Sequence, residues 1–136
     1  MINYKIFPEV NLLTIWLTGD CDFTALLSCI QTYMQDPAYH SEMNGVLDMR
    51  QGRLVLTPSE ILQISTFVHE QKFAKGKWCH IVEDPRSTAL GSLYQSQIQD
   101  EHPLKVFSTL EAASSFLLTD LKLYLPEVKL GRLLHF

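Results

Sequence analysis

The sequence predicts an α/β domain: a mostly parallel five-stranded sheet with an antiparallel N-terminal edge, in the order β-β-α-β-α-β-α-β-α. Three observations carry that prediction. Two short apolar strands, 2–7 and 12–17, are joined by about four residues, which suits an antiparallel hairpin. From Leu12 onward, short apolar runs alternate with amphipathic stretches, the pattern of a parallel sheet covered by helices. The later amphipathic stretches open on capping residues: Thr57-Pro58-Ser59-Glu60, Asp84-Pro85 and Ser108-Thr109-Leu110-Glu111.

Each element has its own signal. Ile2, Tyr4 and Ile6 alternate with Asn3 and Lys5, as in a half-exposed strand. A turn within Pro8–Asn11 leads to the second strand, Leu12-Leu13-Thr14-Ile15-Trp16-Leu17. That run ends at Gly19, and Asp20 and Asp22 are placed to cap the first helix. Phe23, Leu26, Leu27, Ile30, Tyr33 and Met34 then recur at helical spacing, until Asp36-Pro37 stops the helix.

The chain is organised around Asn44–Ile61. A short strand, Gly45-Val46-Leu47, ends on Asp48; a basic connection comes next, Arg50-Gln51-Gly52-Arg53, then Leu54-Val55-Leu56. Thr57 is the expected N-cap, Pro58 the first helical residue and Glu60 the reciprocal partner. This helix turns Ile61, Ile64, Phe67 and Val68 inward. Lys72, Lys75 and Lys77 crowd its end, where Gly76 is the expected C′ residue. The fourth strand is Trp78-Cys79-His80-Ile81-Val82, and the next helix has Leu90, Leu93, Tyr94 and Ile98 as its apolar side. Leu104–Phe107 closes the sheet, and the last helix buries Leu110, Ala113, Phe116 and Leu117. Residues 1–120 thus form the domain. Residues 121–136 form an apolar extension, expected to pack on its own domain or on a second copy.

Composition narrows the function classes. With 136 residues the chain is one domain, long enough to bury about two thirds of its unfolded surface. A net charge of −4 argues against nucleic acid as the main partner, because phosphate binding rests on Lys and Arg. The longest apolar runs reach about six residues, where a membrane helix needs about twenty. Met1-Ile2-Asn3-Tyr4-Lys5 does not read as a signal peptide. Cys21, Cys29 and Cys79 are odd in number and form no CxxC pair, which fits reduced thiols. A cytoplasmic protein without a membrane span is expected.

Several positions together resemble the SpoIIAA-like fold of the STAS domains (sulfate transporter and anti-sigma factor antagonist) and of small bacterial STAS-like proteins. Gly19 comes after the second strand. Val46-Leu47-Asp48-Met49-Arg50 is similar to the family's strand that ends in Asp and a polar linker. Val106-Phe107, Glu111, Ala113 and Phe116-Leu117 resemble its closing signature, with Phe where the family usually has Trp. The resemblance spans about residues 2–118 and implies a non-enzymatic interaction or regulatory module of the bacterial cytoplasm. In the anti-sigma factor antagonists a DS[ST]G motif opens the helix after the third strand, and its serine is phosphorylated. Here that start reads Leu56-Thr57-Pro58-Ser59-Glu60, without the acidic residue and the glycine. Thr57 or Ser59 would occupy a similar place, and the plainer role of both is capping.

These features select candidate sites. The expected partner or phospho-switch surface is Asp48, Arg50, Arg53, Thr57 and Ser59, with a homodimer formed through the apolar tail or the edge strand. An alternative is a carrier or sensor of a lipophilic molecule, with Trp16, Phe67, Trp78 and Tyr94, joined by Phe73 and Phe107, as pocket residues. A third class, an acid-lined hydrolase, would need Asp20, Asp48 and Asp84 to converge. The five histidines form no HxH, HxxxH or HExxH, and no serine has a GxSxG context, so no metal, cofactor or catalytic residue is assigned.

Overall fold

Leu13, Ile15 and Leu17 face one side of the sheet and Leu12 the other, and this alternation sets the whole architecture. The computed structural model describes residues 1–72, 74–98 and 104–128. Its elements run β1 (Ile2–Phe7), β2 (Leu12–Leu17), β3 (Gly19–Cys21), α1 (Phe23–Met34), β4 (Asn44–Asp48), β5 (Gly52–Leu54) and α2 (Pro58–Gln71). They continue with β6 (Trp78–Ile81), α3 (Pro85–Ile98), β7 (Leu104–Phe107) and α4 (Leu110–Leu117), with short 3-10 turns at Pro8–Val10 and Leu121–Leu123.

The main sheet has the order β1-β2-β4-β6-β7. β1 and β2 are antiparallel, with Tyr4 opposite Ile15; every other pair is parallel. Strand order follows chain order without reversal. A right-handed crossover between neighbours then always returns on the same side, so α1, α2 and α3 share one face of the sheet. Leu47, Trp78 and Leu104 of the sheet meet those helices. Val46, Cys79 and Ile81 face α4 and the Leu121–Leu123 turn on the opposite side. The first eight residues of the C-terminal extension are described, and Leu121 and Leu125 are buried in that second cluster. Residues 129–136 lie outside the described residues.

Gly45 of β4 lies directly against the Trp78 indole, and any Cβ at that position would overlap the ring. Glycine here is a packing requirement rather than a turn signal.

Three local features differ from the sequence expectation. β3 and β5 pair in parallel as a second, two-stranded sheet, with Gly19 opposite Gly52 and Asp20 opposite Arg53. Its strands, Gly19-Asp20-Cys21 and Gly52-Arg53-Leu54, are three residues long with one apolar residue each, so no hydrophobic period marks them. α2 ends on Lys72, held in the left-handed region at φ 51°, and not four residues later at Gly76. Gly76 instead passes so close to the Met43 carbonyl that a side chain would not fit. The cap of α4 is Thr109, whose hydroxyl accepts from the Ala112 N–H at 3.1 Å, so Glu111 has no reciprocal role there.

The start of α2 matches the expectation in full. The Thr57 hydroxyl accepts from the Glu60 N–H at 3.2 Å, and the Glu60 carboxylate accepts from the Thr57 N–H at 2.9 Å. Thr57→Ala is expected to cost about 1 kcal/mol in a urea titration. A loss below a few tenths of that would show that the cap is not a determinant of α2. No described helix is long and apolar enough to cross a membrane.

Candidate functional site

Two places merit comparison: the carboxyl end of β4 with the segment up to α2, and the core between the sheet and the three helices.

At the first, Asp48 is the last residue of a central strand and is only 3% exposed. Arg50 folds back on it with both guanidinium contacts at 2.9 Å, and the Arg50 backbone N–H donates to the same carboxylate at 3.1 Å. Those hydrogen bonds hold the Arg50 guanidinium above its ordinary pKa. Arg50 also donates to the Pro126 carbonyl at 3.1 Å, and the Gln51 side chain donates to the Glu127 carbonyl at 3.2 Å. The pair thus pins the described part of the tail to the β4–β5 connection. Arg53 behaves differently. It pairs with Asp20 at 2.8 Å on the surface, where water screens the attraction.

The remaining predicted surface residues, Thr57 and Ser59, are exposed at the start of α2. Two apolar side chains, Val55 at 37% and Leu62 at 55%, are exposed in the same segment. The predicted surface therefore divides. Asp48 and Arg50 are largely interior and bonded to each other; Arg53, Thr57 and Ser59 are exposed, as are Val55 and Leu62 of the same stretch of chain, which hydrophobic periodicity alone did not single out.

The second place is a partly open, largely apolar cavity of about 80 Å³. β4 and β6 give it Leu47, Trp78 and His80; α1 gives Tyr33; α2 gives Ile61 and Ile64; α3 gives Ser87, Leu90, Gly91 and Tyr94. Of the residues expected to line a pocket, Trp78 and Tyr94 do so. Trp16 alternates with Ile15 and Leu17 and projects from the other face of β2. Phe67 packs against the surrounding core without reaching the cavity, and Phe107 belongs to the α4 side. Phe73 lies outside the described residues. The volume is below the few hundred Å³ expected of a carrier of a lipophilic small molecule.

The three acids do not act as a set. Asp20 is bonded to Arg53, Asp48 to Arg50, and Asp84 caps α3 by accepting from the Ser87 N–H at 2.8 Å and from its hydroxyl at 2.7 Å. Hydrogen bonding to Arg53 lowers the Asp20 pKa, and hydrogen bonding to Ser87 lowers that of Asp84. A carboxyl poised as a general acid at neutral pH needs the opposite shift. Among the described residues, no group of three His, Cys, Asp or Glu is placed to hold a metal ion. Among the described residues the sheet also has no reversal of strand order, the place where open α/β sheets put their usual crevice.

All three cysteines are buried. Burial pushes the Cys29 thiol up to about 11 and the Cys79 thiol up to about 12, so at neutral pH both are protonated. Native protein at pH 8 is expected to react with no more than a trace of a thiol reagent within an hour, and with three equivalents after unfolding. Rapid labelling of one native thiol would contradict this and reopen a nucleophilic role. The sequence matches no protein-family model and no curated protein.

Proposed function

We propose that this chain is a STAS-like, non-enzymatic regulatory module of the bacterial cytoplasm. It binds a protein partner, a second copy included, through the segment from Arg53 to Leu62. The observation that carries this reading is the composition of that surface: a cation, two hydroxyls and two exposed aliphatic side chains on one short stretch. Exposed apolar side chains interspersed with polar ones along a segment suit a protein interface. The STAS-like assignment draws on the element order and on β4, the strand that ends on Asp48, both of which are similar to that family.

The two hydroxyls have different prospects. That of Thr57 is used in the cap of α2, whereas Ser59 stands exposed on its first turn. Phosphate on Ser59 would sit near the N-terminus of α2, where free N–H groups and the helix dipole favour it. Ser59 is accordingly the residue through which the surface would be switched.

A photo-crosslinking amino acid at Ser59 or Leu62, introduced in the producing cell, tests the reading. It is expected to give a discrete protein adduct. The same group at Glu9, exposed near the opposite ends of the parallel strands, is expected to give none. Equal labelling from all three positions would sink the proposed surface.

A further inference from the structure

The core cavity carries an inference that does not depend on the partner surface. Protein interiors are packed so closely that few spaces exceed one water molecule. A water needs about 10–15 Å³ of such volume, and an engineered apolar cavity of about 150 Å³ takes up benzene. At about 80 Å³, partly open, this cavity lies between those limits. It is about half the volume of the cavity that takes up benzene, so a single ring is accommodated only with part of it in the open mouth or with the lining displaced, and a lipid chain is excluded.

Its lining is aliphatic on the α2 side, α1 adds Tyr33 to its aliphatic residues, and His80, Ser87 and Tyr94 gather on the seam between β6 and α3. There the His80 imidazole stacks on the Tyr94 ring, with centroids 6.0 Å apart and planes 11° from parallel. Ser87 is 3% exposed; its hydroxyl hydrogen is given to Asp84 at 2.7 Å, which leaves the oxygen as an acceptor. The Asp84 carboxylate next to it disfavours an anionic ligand.

Gly91 lies in the interior of α3, where glycine is less favourable than alanine by about 1 kcal/mol. A Cβ there would stand 3.0 Å from Val106 Cγ2 and 3.6 Å from His80 Nδ1. The glycine lets α3 approach β7 and keeps side-chain atoms out of the space beside His80.

We infer that the cavity is a binding site for a small neutral molecule: an apolar body no larger than one aromatic ring, carrying one hydrogen-bond donor that is received by Ser87. The apolar body lies against Trp78, Ile61 and Ile64, and the donor points to the α3 seam.

Phenol, benzene and benzoate serve as probes, titrated into the full chain and followed by two-dimensional NMR. Phenol is expected to shift the Trp78 indole and Gly91 amide signals saturably, benzene to shift the same signals at higher concentration, and benzoate to shift neither. Leu90→Phe and Ile64→Phe each narrow the cavity from a different side. In whichever variant retains the native spectrum, the phenol response is expected to fall at least tenfold. Ser87→Ala is expected to weaken phenol about fivefold and to leave benzene unchanged. Wild-type protein that shows no saturable response to phenol would overturn the inference. So would an undiminished phenol response in a narrowed variant that retains the native spectrum, an undiminished phenol response in Ser87→Ala, or a preference for benzoate.

Discussion

Arg50→Ala is expected to lower the unfolding free energy by about 3 kcal/mol. Asp48 sits at the end of a central strand, and its carboxylate is nearly removed from water. Truncating Arg50 removes the bidentate contact and leaves that carboxylate without its charged partner. The same change frees the Pro126 carbonyl, so hydrogen exchange over residues 121–128 is expected to accelerate along with the loss. The charge pair itself is not what stabilises the fold. Replacing both partners, as in Asp48→Leu with Arg50→Met, is expected to recover most of the loss, because two desolvated charges are exchanged for apolar contact. Urea titration of the three proteins checks this. A loss below about 1 kcal/mol for Arg50→Ala would mean that the pair behaves like an ordinary surface pair.

Trp78→Ala is expected to cost about 3–5 kcal/mol, the range for removing a large buried aromatic. The indole lies over Gly45, where no other residue type would leave it room, and beside the Tyr33 ring at 6.4 Å. It also forms one wall of the cavity, so its loss enlarges a space that is already present. Gly45→Val tests the same contact from the strand side. It forces the indole or the strand to shift and is expected to cost about 1–3 kcal/mol. Thermal or urea unfolding measures both. If Gly45→Val proved neutral, the close approach of β4 to the indole would not be a determinant of the core.

Most of the fold was legible because its signals are local. The hairpin, the five strands of the main sheet and the four helices arise from apolar periodicity and from caps such as Asp22 and Thr57. The β3–β5 pair was not legible, since Gly19, Asp20, Gly52 and Arg53 carry no apolar period. The site was legible only in part. Trp78 and Tyr94 could be placed near a pocket, but Trp16 lies in a run in which almost every residue is apolar, so alternation could not orient it. The contact of Arg50 with Pro126 joins residues far apart in the chain, and no spacing rule anticipates it. Nor does a sequence show that Asp48 is covered while Ser59, eleven positions later, stays in water.

Asp48 and Arg50 thus form a structural pair, distinct from the proposed docking surface at Arg53–Leu62. The most direct test of that surface is the adduct formed by a crosslinker at Ser59 when Leu62 is also changed to Arg, measured with the unfolding midpoint of the same protein. Leu62 is 55% exposed, so the substitution is expected to leave the midpoint within a degree or two and to remove at least nine tenths of the adduct. An undiminished adduct in a protein of unchanged stability would contradict the proposed docking surface.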